Sequence, residues 1–244
     1  MLASVGGYDV VVEPDLVEFP WRAGMKRAVA AFGVTFVLVF LLAAVGGFGS
    51  GPLVDRFALL GIIVYQFHHV AAATGTVPGA VEPAANAVVG VPVLGRALRG
   101  LFVTGTGHGD PTHLLDILAG EEATIGHTDL AARSAGDIPI VVYYAIPPLV
   151  LAFAGFEFAS THWEEAVVES PVEVTRFGAA VGAGYLLVLL VGTVPFTVEM
   201  TSTLAARTFV VHPDRYMVLL FGFVYPAFWA TVGAGVVYLA RGPD

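Results

Sequence analysis

The sequence contains no cysteine, a single lysine and few charged residues of any kind. Without cysteine there are no disulfides, thiolate metal sites or cysteine nucleophiles. Charged residues make up 13% of the chain, about half of the roughly 25% that soluble domains carry. Hydrophobic residues reach 57%. A soluble core does not account for this balance, whereas several lipid-facing helices do, so the composition predicts an integral membrane protein.

The charges that remain are mostly acidic. Twenty acidic residues oppose eleven basic ones, giving a net charge of −9. A chain of this charge lacks the basic surface that nucleic acids require, which excludes them as partners. We expect the lipid bilayer to be the main partner, together with a second copy of the chain or another membrane protein. The acidic excess, with many Ala, Val and Gly residues, also resembles the composition of proteins from salt-loving archaea.

Five apolar segments predict helices that cross a membrane, each close to the 20 residues that a span needs. The fold class is therefore an all-α, polytopic transmembrane bundle of about five spans, located in the cell membrane. Pro147 and Pro148 predict a kink or interruption in the third span. Glycines predict close helix packing in the last two spans: Gly178, Gly182, Gly184, Gly233 and Gly235. The predicted spans are 28–47, 57–76, 138–156, 177–196 and 216–240.

The basic residues predict that the N-terminus is cytoplasmic. With five spans and this orientation, eight basic residues fall inside and three outside, as the positive-inside rule favours. The C-terminus is then outside. The predicted segments are an N-terminal cytoplasmic segment (1–24), a first transmembrane hairpin (25–76), a cytoplasmic connection (77–137), a three-helix transmembrane part (138–240) and a tail (241–244).

A polar cluster interrupts the second predicted span, in the stretch "YQFHHVAAAT" (65–74). Ionisable residues at the middle of a span are expensive and indicate function by default. On a continuous helix Tyr65, Gln66 and His69 share one face, while His68 points about 100° away. The two histidines therefore do not bind one metal ion together. The cluster predicts either hydrogen bonds that fix helix packing or a path for a small solute, ion or proton; on the packing interpretation His69→Ala loses stability.

A second group of polar residues lies in "GHGDPTHLLD" (107–116). His108, His113 and Asp116 offer nitrogen and oxygen ligands of the kind that suit zinc, manganese or iron. No standard metalloenzyme signature accompanies them, and a solvated loop helix accounts for the same residues. We therefore predict no cofactor, with a divalent metal as the alternative.

Two stretches carry a resemblance to a known group of proteins. "LLGIIVYQFHHV" and "VHPDRYMVLLFGFVYPAFWATVGAGV" are similar to segments of small multi-span membrane proteins of haloarchaea that have no assigned activity. The resemblance implies a membrane protein from such an organism and implies nothing about mechanism.

The preferred functional interpretation is a non-catalytic membrane subunit or scaffold. The first alternative is a small-solute, ion or proton transporter that uses Tyr65, Gln66, His68 and His69. The second is a membrane metalloenzyme that uses His108, His113 and Asp116. An enzyme is the less favoured class, because no catalytic signature is present.

Overall fold

The structure is a computed structural model, and it describes residues 3–5, 8–10, 19–46, 53–70, 72–76, 104–107, 138–166, 168, 170–202 and 207–241. Within these residues there are five helices and six short strands. The helices are α1 (Trp21–Val45), α2 (Leu53–Phe67), α3 (Ile140–Ala166), α4 (Val174–Gly192) and α5 (Arg215–Arg241). The strands are β1 (Ala3–Val5), β2 (Tyr8–Val10), β3 (Ala72–Thr76), β4 (Thr104–Gly107), β5 (Val198–Ser202) and β6 (Arg207–Pro213).

Four of the helices, α1, α3, α4 and α5, are long and apolar enough to cross a membrane. Their outward faces carry large apolar side chains that a soluble protein would bury; Leu149, Phe153 and Leu239 are 69%, 65% and 82% exposed. Such a surface matches a lipid surround and is compatible with a membrane protein. The predicted bundle of about five apolar helices is confirmed. The helix α3 continues through Pro147 and Pro148, and its non-helical residue is instead His162.

The four long helices alternate in direction, so that both ends of the bundle can be defined by contacts. At one end, Phe19 packs edge-on against Phe158 near the end of α3. At the same end, Arg241 donates a 3.2 Å hydrogen bond to the carbonyl oxygen of Ser160. We call this the terminal end, because the start of α1 and the end of α5 lie there. The opposite end, where α4 stops and α5 starts, is called the sheet end.

A four-stranded antiparallel sheet lies at the sheet end, in the order β4-β3-β6-β5. Its last strand in sequence, β6, stops at Pro213, two residues before α5 begins. In the pairing of β3 with β6, Ala72 lies opposite Pro213. The all-α prediction did not include this sheet. The Thr- and Val-rich runs "VEMTS" and "RTFVVHP" carry the β-branched composition that could have indicated it.

Helix α2 is too short to cross a membrane, so the predicted span 57–76 is wrong beyond Phe67. Its 15 residues are about 22 Å long, against a hydrocarbon core of about 30 Å. At its first half, Phe57 contacts Phe196, which follows the end of α4. After α2 the chain reverses and returns to the sheet end as β3. Residues 53–76 therefore enter and leave the bundle at the same end, and we call them the re-entrant unit.

Because residues 53–76 return to the sheet end, the start of α1 and the end of α5 share one end of the bundle. The predicted placement of the C-terminus opposite the N-terminus is therefore wrong. The described residues on either side of segment 77–137 both lie at the sheet end, which is the end opposite the start of α1. The count of eight basic residues against three no longer applies, since five now fall at the terminal end: Arg22, Lys26, Arg27, Arg176 and Arg241.

Glycines allow the long helices to approach closely. Lipid gives helices no hydrophobic drive to associate, so close van der Waals packing matters more there than in water. A Cβ on Gly155 of α3 would lie 2.0 Å from the carbonyl oxygen of Ala230 in α5, and one on Gly233 would lie 1.7 Å from that of Ala152. Gly178, Gly182 and Gly184 also pack against neighbouring helices, whereas nothing lies within 4 Å of Gly235. The packing prediction is confirmed for four glycines and wrong for Gly235.

Candidate functional site

The tip of the re-entrant unit is a tight turn that ends α2. The amide of Val70 donates to the carbonyl of Tyr65 at 3.0 Å, and the amide of His69 donates to that of Gln66 at 2.9 Å. These two bonds form a Schellman motif, in which the residue at the position of His69 takes a left-handed conformation. His69 has φ 61°, as the motif requires. Glycine usually fills this position, because a side chain there is strained.

The apolar residues around this turn are buried in the bundle. Tyr65 and Val70 both have no exposed surface and belong to the same core cluster. A buried apolar pair at these two positions commonly accompanies a Schellman motif. The turn is therefore held within the protein, which is the condition under which non-helical backbone is tolerated at membrane depth.

His68 is completely buried and hydrogen-bonded through both ring nitrogens. Its Nδ1 lies 2.7 Å from the carbonyl oxygen of Val64, and its Nε2 lies 2.6 Å from the hydroxyl of Tyr185 on α4. A carbonyl can only accept, so Nδ1 carries the hydrogen; in a neutral imidazole Nε2 then accepts from Tyr185. The ring of Tyr225 on α5 packs against the imidazole with centroids 5.7 Å apart. His68 thus ties the re-entrant unit to α4 and α5.

His69 lies on the other side of the turn and is exposed. Its ring is surrounded by aromatic side chains of α3 and α5, with centroids 5.4 Å from Tyr225, 6.1 Å from Tyr144 and 6.4 Å from Phe221. The predicted sharing of one helix face by Tyr65, Gln66 and His69 is wrong, because the helix ends at Phe67. The buried histidine is His68 instead.

Three more buried polar groups surround this turn. The hydroxyl of Tyr65 donates to the carbonyl oxygen of Leu189, near the end of α4. Within the described residues, the side-chain oxygens of Gln66 and Thr35 are buried without a hydrogen-bond partner. The Thr35 hydroxyl lies near the hydroxyl of Tyr185, which is the hydroxyl bonded to His68. The four-residue cluster predicted from sequence is thus brought together at one turn, but with three side chains buried and His69 exposed.

The second predicted site is the metal site in segment 107–116. His108, His113 and Asp116 lie outside the described residues, so their convergence on a metal stays a prediction. The described part of the chain holds no group of three or more His, Asp or Glu side chains arranged for a metal ion.

A groove between α1 and α3 was not indicated by the sequence. It has a volume of about 310 Å³, and its walls include Ala30, Val34, Leu149 and Phe153. At its edge the guanidinium of Arg27 bonds the carboxylate of Glu157 at 2.5 Å. The predicted third span ends at residue 156, just before Glu157, whereas α3 continues to Ala166. Its partner Arg27 lies on α1, 130 positions earlier in the sequence. The residues around Glu157 therefore do not predict this ion pair.

The fold and this buried turn define a helical bundle of the kind that membrane proteins form. A family model described as "Family of unknown function (DUF7978)" matches residues 111–241, which is more than half of the chain. The chain therefore belongs to the DUF7978 family. The match includes α3, α4 and α5 with the β5–β6 hairpin, and it does not reach α1 or the re-entrant unit. No curated protein and no solved structure matches the chain.

Proposed function

We propose that the protein is a multi-pass membrane protein with four spans, that it resides in the cell membrane of a salt-loving archaeon, and that it acts as a non-catalytic subunit or scaffold. The observation that carries the proposal is the bonding of His68. Both of its ring nitrogens are satisfied by protein groups, and the side chain has no exposed surface. A group held in this way fixes helix packing and is poorly suited to exchange protons or ions with water.

The bundle suits a scaffold because its polar contacts join separate parts of the chain. The His68–Tyr185 bond spans 117 positions in sequence, and the Arg27–Glu157 pair spans 130. Each contact fixes the relative position of two helices that the sequence does not connect directly. The four-stranded sheet at the sheet end then lies on helices whose relative positions these contacts fix.

The membrane topology is tested by single-cysteine labelling, which the absence of native cysteine makes unambiguous. We expect Arg22→Cys and Arg241→Cys to react with a membrane-impermeant maleimide from one side of the membrane. Tyr216→Cys, at the exposed start of α5, should react only from the other side. Labelling of Arg22→Cys and Arg241→Cys from opposite sides would contradict the four-span topology.

The scaffold role is tested by size and by transport. Gently solubilised native membranes should yield the protein in a complex heavier than the purified chain. Purified protein in liposomes should give no proton, sodium or potassium flux above that of protein-free vesicles. A flux that exceeds this background and disappears in Gln66→Leu would overturn the scaffold role.

A small-solute, ion or proton transporter is the second candidate, and the buried, unpaired oxygens of Gln66 and Thr35 favour it. Unsatisfied polar atoms at membrane depth cost free energy and mark transport pathways in other bundles. The liposome assay separates the two candidates, because Gln66→Leu removes the polar oxygen while keeping a side chain of similar size.

A further inference from the structure

The second half of α2 is enclosed by the four long helices. Residues 60–68 are all buried, so no face of the helix is exposed there. The ring of Phe67 stacks on that of Tyr143 in α3, with centroids 5.5 Å apart. Val39 of α1 packs in the same apolar cluster as Phe67, and His68 contacts both α4 and α5. The space between the long helices is therefore a chamber that α2 fills.

Toward the terminal end, the long helices pack directly on one another. A Cβ on Gly24 of α1 would lie 2.6 Å from the Cβ of Ala180 on α4. Gly155 of α3 approaches the backbone of Ala230 on α5 more closely still. Helices this close leave no room for water between them, so the chamber opens toward the sheet end, from which α2 enters.

The chamber wall includes a hydroxyl-bearing side chain from each long helix. These are Thr35 of α1, Tyr143 of α3, Tyr185 of α4 and Tyr225 of α5. A cavity with purely apolar walls stays dry, whereas hydroxyl groups give water the hydrogen-bond partners that it needs. The wall is therefore suited to hold water when α2 is not between the helices.

The polar bonds between α2 and this wall are ones that water can replace. The hydroxyl of Tyr65 donates to the carbonyl oxygen of Leu189, and the imidazole of His68 bonds the hydroxyl of Tyr185. Folding exchanges such bonds with bonds to water at a small net gain. The long helices instead meet through interlocking backbone surfaces, so α2 can leave the wall while they stay together.

The enclosed position of α2 also carries costs that water would relieve. Within the described residues, the buried side-chain oxygen of Gln66 has no hydrogen-bond partner, and such an atom is less stable than a hydrated one. His69 adds the strain of a left-handed backbone at the end of the same helix. Both costs fall on α2, which brings its enclosed and displaced positions closer in free energy.

We propose that α2 is a displaceable plug. It leaves the chamber toward the sheet end, water fills the chamber, and the four long helices stay packed. The chamber then opens to one side of the bundle only, so the movement requires no flux across a membrane. The proposal goes beyond the scaffold role and does not depend on it, because it requires only the helix bundle and the enclosed position of α2.

The plug is tested by the rate at which a buried thiol reacts with a maleimide in native membranes, in a chain with no cysteine of its own. Gln66→Cys places the thiol on α2, at a side chain that is 2% exposed. Val181→Cys is the matched control, because its thiol is fully buried on α4 and reacts only when the long helices separate. Gln66→Cys should react at least about tenfold faster than Val181→Cys.

The direction of opening is tested with a membrane-impermeant maleimide. It should reach Gln66→Cys from the side that labels Tyr216→Cys, at the start of α5. Labelling from the opposite side alone would overturn the plug. Equal rates for Gln66→Cys and Val181→Cys would overturn it too, because α2 would then open only with the whole bundle.

A disulfide tests the same movement by tethering α2. A Cβ on Gly61 would lie 2.3 Å from Cγ of Phe196, so Gly61→Cys with Phe196→Cys brings two Cβ atoms within the roughly 4 Å that a disulfide spans. In the reduced double variant, residues 57–70 should exchange amide hydrogens faster than α4. Oxidation should slow that exchange by at least about tenfold and leave α4 unchanged.

The reduced and oxidised forms are the same chain, so their comparison isolates the tether from the two substitutions. Exchange of residues 57–70 that oxidation does not slow would overturn the plug. If the loss of the Phe196 ring prevents folding, the comparison of Gln66→Cys with Val181→Cys decides the proposal alone.

Discussion

The Nε2 atom of His68 lies 2.6 Å from the hydroxyl oxygen of Tyr185, and this bond joins the tip of the re-entrant unit to α4. The same imidazole reaches back to the carbonyl of Val64 in its own helix. One side chain therefore both caps the end of α2 and attaches it to the bundle.

Removing the Tyr185 hydroxyl should destabilise the protein. Tyr185→Phe leaves Nε2 of His68 buried without a donor, which costs about 1–2 kcal/mol. Thermal unfolding in detergent should show the loss. Tyr238→Phe is the matched control, because the ring of Tyr238 packs against Trp163 and the hydrophobic core in the same bundle. Equal unfolding temperatures for the two variants would show that the His68–Tyr185 bond contributes nothing.

Replacing His69 with glycine should stabilise the turn. The left-handed conformation of His69 costs a residue with a side chain about 1 kcal/mol relative to glycine. His69→Gly should therefore unfold at a higher temperature than the wild type, while His69→Ala keeps the strain and gains nothing. A lower temperature for His69→Gly would mean that the ring contacts with Tyr225 and Tyr144 outweigh the strain.

Two glycines of similar sequence context should respond oppositely to alanine. Gly155→Ala places a methyl group 2.0 Å from a backbone oxygen of α5, which no side-chain movement relieves. The helices α3 and α5 must then separate, and stability should fall. Gly235→Ala meets open space and should be neutral or stabilising by up to about 1 kcal/mol through helix propensity. Equal effects of the two variants on thermal unfolding would contradict the packing described for the α3–α5 contact.

Protonation of His212 should destabilise the sheet end in acid. Burial lowers the pKa of His212, and the positive charge of Arg215 lowers it further, although the bond to Pro213 opposes the shift. The unfolded chain then binds the proton more tightly than the folded chain. Stability is fully present above the ordinary imidazole pKa of about 6.5 and is lost as pH falls toward the lowered folded value.

The measurement for His212 compares unfolding at neutral and acidic pH in the wild type and in His212→Gln. Its Nε2 is buried with no hydrogen-bond partner in the described residues, so the added proton finds no acceptor there. The variant should lose less stability on acidification than the wild type. Identical pH dependence in the two proteins would contradict the contribution of His212.

Sequence pattern predicted the helices well because apolar length and composition are local properties. Residues 28–47 and 216–240 correspond closely to α1 and α5. Pattern failed at α2, where "VYQFHHVAAATGT" is apolar enough to continue a helix. The helix stops because the turn at His68 finds partners 117 positions away in Tyr185. The pattern of apolar residues within the segment does not indicate so distant a partner. The Arg27–Glu157 pair was not predicted for the same reason, because its two residues are 130 positions apart.

The predicted placement of the C-terminus opposite the N-terminus failed for a related reason. Counting basic residues on two sides requires the number of crossings to be known. The single short helix α2 changes that number by one, and it moves every later charge to the other side. A hydropathy profile does not distinguish well between a helix that crosses a membrane and one that turns back, because both are apolar along their length.

The re-entrant unit also has a consequence for biogenesis. Its tip is enclosed by Tyr185 and Tyr225, and its strand β3 pairs with β6, yet all of these partners are synthesised after residues 53–76. An emerging chain cannot complete this unit when it leaves the ribosome. Residues 53–76 can therefore take up this arrangement only after α4, β6 and α5 have been made, and we expect the unit to be completed late in folding.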